Sequence, residues 1–384
     1  MKLLNAWTME LDEPETAVSE ILDQLDLKKN AMEHSAGFIT CSYDFVESGI
    51  VKAVCESLPF DVVGCTTLTN ANNKEDGTML FCLTVLTADD CRFSAAVTGS
   101  LPEDLEETIA SAAQKAQDGL DHKAKMALAF LPMFGVGGEV MLIALDKALE
   151  GTPIFGTVAC DFDTANYSNS YVIFNGECFR ECLSFLLISG NITPRFVMAS
   201  TSEQNLRKQQ AVITSSKECL LKEVNNMAAK DYFESIGLIA GNGIEGMSSI
   251  PFVVDYGDGT QPAARAIYGL NDDGSAVCGG IMPEGGTLYI GRMDVEDILL
   301  TAANSAKELL GTGSVSGIIM FPCLGRNMVL AVDPFAEIDA VKNTIGDRLP
   351  WHLAYSGGEC CPVCDKDGRM ANRFHNFTFI GCAI

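Results

Sequence analysis

The sequence predicts an α/β protein with mixed sheets, in two domains spanning residues 1–195 and 208–384. Three observations carry this expectation. A strand–helix–strand pattern recurs at residues 37–67, 126–161 and 317–361, each time ending in glycine and small polar residues. Short runs of β-formers bounded by Asp, Asn and Gly lie between these units and read as antiparallel hairpins. Hydrophobic residues make up 47% of the 384 residues and charged residues 20%, enough to bury sizeable cores.

In chain order, Leu3 to Met9 reads as an edge strand and Pro14 to Leu25 as an amphipathic helix with proline at its start. Gly37 to Tyr43 is a strand. Phe45 to Leu58 returns as a helix, with Val46, Ile50, Val51 and Val54 on one face. Val62-Val63 then runs into Gly64-Cys65-Thr66-Thr67. Leu80–Leu86 and Phe93–Val97 are hairpin strands. Pro102 to Gln117 is a helix, with Ser100 as its cap and Glu103 and Asp104 in its first turn. Met126–Phe134, the helix Gly137–Leu149 and Pro153–Ala159 form the second unit, which ends at Cys160-Asp161. Tyr171–Phe174 and Cys182–Ile188 follow, with a tight turn at Asn175-Gly176-Glu177. The stretch 191–208 breaks the apolar periodicity and marks the boundary. Beyond it come a strand at 211–215, a helix at 223–236, a glycine-rich loop at 237–246 and a run of strands between Phe252 and Ile290. Asp294 to Leu310 is a long helix capped by Asp294 and stopped by Gly311. In the third unit Ile318–Phe321 ends at Pro322-Cys323-Leu324-Gly325-Arg326, a helix covers 334–345, and Trp351–Tyr355 ends at Ser356-Gly357-Gly358-Glu359-Cys360-Cys361. A closing strand spans Phe374–Ile380.

The formal net charge of −25 disfavours binding to nucleic acid or to anionic membrane surfaces. The fifteen cysteines are odd in number and scattered through apolar runs, which points to free, buried thiols in a reducing cytoplasm, without disulfides or metal. Met1-Lys2-Leu3-Leu4 leads straight into acidic sequence, so no secretory signal is expected. The most apolar neighbourhood, 127–145, holds Pro132, glycines and Glu139 and is no spanning helix.

Ligands of α/β proteins bind at the carboxyl ends of strands. The ends at Cys65-Thr66, Cys160-Asp161, Cys323 to Arg326 and Gly358 to Cys360 are therefore expected to line a concavity. Arg326 offers a planar fork for a carboxylate and Glu359 an anion for an ammonium, together suited to an amino acid. The other reading of the pair is a structural ion pair or two solvated loop charges. Cys361-Pro362-Val363-Cys364 has the spacing of a redox or zinc motif, which Cys323 and His375 could complete, though a loop with incidental cysteines accounts for it as well. Phe134 to Glu139 meets neither nucleotide-binding fingerprint and reads as a tight turn. Cys65, Cys160 or Cys360 with His375 as base would give an enzyme of unclassified chemistry.

The F-P-C-L-G-R strand end at 321–326, the S-G-G-E turn at 356–359 and the H-N-F-T run at 375–378 resemble the C-terminal half of FIST domains. Val63-Gly64-Cys65-Thr66-Thr67 resembles a turn of that family's N-terminal half, and Ala228 to Tyr232 the helix that opens its C-terminal half. The resemblance implies intracellular sensing of a small ligand, an amino acid or related carboxylate, without a cofactor. Arg326, Glu359, Cys323, Gly358, Cys65, Thr66, Asp161 and Asn376 are the expected ligand-lining residues. The signal would pass to an output protein such as a kinase or cyclase, or through a homo-oligomer.

Overall fold

The computed structural model describes residues 1–102, 104–163, 165–239, 250–311 and 313–384. The first unit contains β1 (Lys2–Thr8), α1 (Pro14–Leu25), α2 (Leu27–Asn30), β2 (His34–Cys41), α3 (Asp44–Glu47), α4 (Ile50–Glu56) and β3 (Val62–Thr66). It continues with a hairpin, β4 (Asn70–Asn72) and β5 (Asp76–Gly77), and returns along β6 (Phe81–Ala88). The second repeats the plan with β7 (Cys91–Val97), α5 (Leu105–Asp118), β8 (Met126–Leu131), α6 (Gly138–Ala148) and β9 (Ile154–Val158). Its hairpin is β10 (Val172–Phe174) and β11 (Glu177–Phe179), and it closes with β12 (Ser184–Gly190).

The third unit opens with β13 (Arg195–Ala199), and here a separate antiparallel sheet is inserted. That sheet comprises β14 (Leu206–Lys217), β15 (Leu220–Val224), β16 (Met227–Ala228), β17 (Phe252–Asp255), β18 (Ala263–Arg265), β19 (Ile267–Leu270), β20 (Ala276–Cys278) and β21 (Thr287–Gly291), with α7 (Ala229–Ser235) packed on it. The unit then resumes with α8 (Val295–Leu310), β22 (Ile318–Pro322), α9 (Leu324–Val329), α10 (Ala336–Ile345) and β23 (Trp351–Ala354). Its hairpin is β24 (Glu359–Cys364) and β25 (Met370–His375), and β26 (Phe379–Ala383) ends the chain.

The three units have one strand order. In each six-stranded sheet the parallel pair β2/β3, β8/β9 or β22/β23 sits centrally, flanked by the returning and opening strands of its own unit on one side. On the other side lies a hairpin from a different unit. β4/β5 of the first unit completes the third sheet, β10/β11 of the second completes the first, and β24/β25 of the third completes the second. The strand ends repeat the cycle in hydrogen bonds. Cys160 N donates to Thr66 O (3.0 Å), Gly357 N to Val158 O (3.0 Å) and Leu68 N to Tyr355 O (3.4 Å). The expected division at 195–208 consequently does not separate the sheets, because β4, β24 and β25 cross it.

Alternate residues of the central strands are buried on both faces, as parallel strands require. Phe38 and Ala36 of β2 join the core shared by the three sheets, while Ile39 and Cys41 pack under α1 and α4. In that shared core Phe130 stands 6.0 Å from Phe38 and 6.2 Å from Phe321, ring to ring. His352 is buried beside them, bridging the hydroxyls of Thr40 (2.9 Å) and Thr84 (3.0 Å); burial lowers its pKa to about 3 and keeps the ring neutral. Gly64 and Gly156 are needed at the parallel pairs, since a Cβ there would fall on the carbonyl oxygens of Ile39 and Ala129.

Several local expectations are corrected. The helix expected over 45–58 is broken at Gly49, whose φ of 81° ends one turn before the next begins. Ser100 does not cap the helix over 105–118; its hydroxyl donates to Glu181 and Asp104 takes the cap position. The helix expected over 223–236 begins only at Ala229, because residues 220–224 form a strand. Asn225 and Asn226, both at positive φ, turn it into β16. The closing strand is interrupted at Asn376–Thr378, where Phe377 has a φ of 56°. Residues 361–364 are strand and not loop. Glu103 and most of the glycine-rich stretch 237–246 lie outside the described residues.

Candidate ligand-binding site

The ends of β22 and β23 are held together by Cys323 and Ser356, which form a parallel bridge. Leu324 N donates to Ser356 O (2.7 Å) and Cys323 N to Thr378 O (2.9 Å). Glu359 opens β24 at this point, fully buried and opposite Thr157 and His375 in register. The Cys323 thiol hydrogen-bonds to its carboxyl, Ser356 Oγ lies 3.4 Å from Oε1 and Thr378 N lies 3.4 Å from Oε2. No lysine or arginine pairs with it among the described residues. Burial pushes both the Glu359 carboxyl and the Cys323 thiol well above their ordinary values.

The inserted sheet reaches over this corner. Tyr268 of β19 keeps 58% of its surface exposed, yet protein crowds its hydroxyl enough to push the pKa up, with Cys323, Tyr167 and Glu359 as neighbours. This corner, bounded by the exposed Tyr268 ring and the buried Glu359, is the candidate cleft. Tyr167 stands beside Cys160, Cys323 and Asp161, its pKa pushed up to about 12 by burial. Asn376 ties the insert down: its Oδ1 accepts from Ala266 N (3.1 Å) and its N–H donates to Ala264 O (3.2 Å). Gly279 is required there, because a side chain would collide with Asn376 and Tyr268.

Arg326 is placed otherwise than expected. It is fully buried in α9, donating from Nε (2.9 Å) and Nη2 (2.6 Å) to Oε1 of Glu337 in α10. Nη2 also meets Ile298 O (3.0 Å) and Thr301 Oγ1 (2.9 Å), and Nη1 meets Ser200 O (3.3 Å). Tyr355 Oη donates to the other Glu337 oxygen at 2.8 Å. The guanidinium is thus satisfied by the protein, and the expected Arg326–Glu359 grip is not formed.

Residues 35–227 match the family model of the FIST N domain and residues 217–362 that of the FIST C domain. The chain belongs to the FIST family. FIST domains are sensory domains of signal transduction. No curated protein matches the FIST chain. A crystal structure of the cyanuric acid hydrolase from A. caulinodans aligns over 100% of this chain and 98% of its own, at 8% identity and a TM-score of 0.37.

The remaining FIST-like positions are distributed unevenly about the cleft. Asp161 is buried; its Oδ2 accepts from Asn169 N and so holds the loop that carries Tyr167, while Oδ1 has no partner among the described residues. Burial raises its pKa. Thr66 Oγ1 accepts from Tyr171 N (2.9 Å), Cys65 faces the shared core, and Gly358 O accepts from Val158 N (2.9 Å). Asp161, Cys323, Glu359 and Asn376 therefore gather near the cleft, whereas Cys65, Thr66 and Gly358 build the walls behind it. Sequence reasoning missed Tyr268, Tyr167 and Arg180. Arg180 is exposed near Asp161 and stacks over Phe134 at 4.6 Å, beside Tyr171, which in turn stacks on Tyr43. Its signal was only that it follows the Asn-Gly hairpin of a strand-end unit.

His375 serves no thiol. Its Nε2 faces Cys361 O at 3.3 Å, and burial lowers its pKa to about 3. Cys361 and Cys364 lie three residues apart on one strand, so they face opposite sides of it, the first buried and the second exposed. That geometry closes neither a disulfide nor a common metal site between them. No group of His, Cys, Asp and Glu among the described residues could hold a metal ion. Titration of native protein with a thiol reagent is expected to modify Cys364 first, then the half-buried Cys178 and Cys219, with the twelve buried thiols reacting only on unfolding. Fast modification of Cys361 would contradict the strand register.

Proposed function

We propose that this FIST protein senses a small metabolite bearing an ammonium group, an amino acid or close relative, in the cleft between Glu359 and Tyr268. The observation that carries the reading is Glu359 itself, a fully buried carboxyl with no cationic partner among the described residues, set under an accessible tyrosine. An entering ammonium supplies the missing counter-charge. Arg326 is committed to Glu337, so the accessible guanidinium on this face, Arg180, is the candidate partner for a ligand carboxylate. Ligand would draw the insert and the three-unit body together and so select one of two conformations. The output passes to a separate signalling protein, such as a kinase or cyclase, or through a homo-oligomer. Fifteen unpaired thiols favour a cytoplasmic location, and no helix among the described residues is long and apolar enough to cross a membrane.

The test is calorimetry with amino acids and simple amines in buffers of different ionisation enthalpy. Ammonium binding ionises Glu359, so it should release a proton. Affinity should rise with pH, by up to about tenfold per unit, until pH passes the raised pKa of the free site. Folding has the opposite slope: the free protein binds the Glu359 proton more tightly than the unfolded chain does. Its contribution to stability is greatest below the unfolded pKa and falls as pH rises toward the folded one. Glu359→Gln should abolish both slopes and weaken amines by about ten- to a hundredfold. Unchanged affinity in Glu359→Gln, with no proton released, would remove the assignment.

A further inference from the structure

We infer that the root of the inserted sheet carries a second binding site, for a small oxyanion, distinct from the Glu359 cleft. A cavity of about 420 Å³ opens there, with Val253 and Tyr289 on one side and Thr201, Arg207 and Lys208 on the other. The linker that forms one wall has its backbone pinned from the body of the protein. Arg326 Nη1 donates to Ser200 O (3.3 Å), Ser202 N donates to Asp297 Oδ2 (3.2 Å), and Asn205 Nδ2 donates to Asp294 Oδ2 (3.3 Å). Its side-chain hydroxyls are left over: Thr201 Oγ1 and Ser202 Oγ are buried with no partner among the described residues. Arg207 reaches only a backbone carbonyl, that of Ile236 (3.3 Å), and neither Arg207 nor Lys208 has a carboxylate partner among the described residues.

Arg207 and Lys208 set two cations side by side on a chain of formal charge −25. With the unused Thr201 hydroxyl they make a pocket rich in donors, whose one lining acid is the exposed Glu203. Such a pocket calls for a ligand that is all acceptor, a carboxylate or a phosphate, and cations of this kind bind either by charge-assisted hydrogen bonds. The position gives the site a use. Leu206 pairs with Gly291, so both chain crossings between body and insert meet beside the cavity, and an anion bound there braces the insert that carries Tyr268. The protein would then read two inputs, an ammonium at the cleft and an oxyanion at the hinge.

The experiment titrates the full chain with inorganic phosphate and, separately, with succinate, by calorimetry and thermal shift at fixed ionic strength. One saturable site for at least one anion is expected. Phosphate alone binding would assign a phosphate ligand, and succinate alone a carboxylate. Lys208→Gln and Arg207→Gln should each weaken binding about tenfold, and Thr201→Val should weaken it without lowering the melting temperature of the free protein. Glu359→Gln should leave anion affinity unchanged. The inference is overturned if neither anion saturates, if the response merely follows ionic strength, or if both cation variants bind as the wild type does. Loss of anion binding in Glu359→Gln would also overturn it, by moving the ligand to the cleft.

Discussion

Arg326→Ala is expected to destabilise the protein by about 3–5 kcal/mol, because it leaves the Glu337 carboxylate buried without its counter-charge. Five donor contacts of the guanidinium vanish together, and with them the tie between α8, α9, α10 and the linker at Ser200. Denaturant unfolding followed by circular dichroism measures the loss. The double variant Arg326→Met with Glu337→Leu should recover most of it, since an apolar pair of similar volume leaves no charge stranded. A stable, fully folded Arg326→Ala protein would return Arg326 to the ligand-gripping role read from the sequence.

Arg265→Ala should cost a comparable amount, concentrated in the insert. Arg265 is fully buried in β18 and donates to Glu139 of α6 (3.2 Å), to Phe374 O and to Ile281 O (3.3 Å). Glu139 is itself 6% exposed, so removing the cation strands a buried acid at about 3–5 kcal/mol. Tyr268 lies three residues along the same segment. Amide exchange should accelerate across residues 252–270 while the three-unit body stays protected, and ligand affinity at the Glu359 cleft should fall with it. Uniform loosening of the whole molecule would show that Arg265 supports the core in general and does not position the cleft wall.

The sequence displayed the repeating units because their central strands are buried on both faces and their ends carry Gly and small polar residues. Pro14–Leu25 and Asp294–Leu310 were legible as helices from periodicity and end residues; the Asp294 cap is made, its carboxylate accepting from Asp297 N at 3.0 Å. The neighbourhood of Cys323 and Glu359 followed from two strand ends within one unit. Other features had no local signature. Glu337 carried no signal within the helix read over 334–345, and only the packing of α9 against α10 turns it toward Arg326. Cys361-Pro362-Val363-Cys364 looked like a loop because Pro362 interrupts it; it pairs with β25 of its own hairpin, and only Glu359 and Cys360 before it reach β9. Tyr268 entered the cleft through a sheet inserted between β13 and α8, a placement that no hydrophobic pattern encodes.

The exchange of hairpins has a consequence for biogenesis. Thr157 acquires its neighbour in the sheet only when Glu359 has been synthesised, and His352 pairs back with Asn72. The first sheet has all its strands by Phe179, but the second lacks β24 and β25, and the third β26, until residues 359–383 emerge from the ribosome. The nascent chain must hold the open edge of β9 and the hairpin β4/β5 unpaired through much of translation, when such edges are prone to join other chains. Contacts this distant in sequence also slow the search for the native state, so the protein is expected to depend on holding chaperones during synthesis and to lose soluble expression on removal of only its final hairpin and strand.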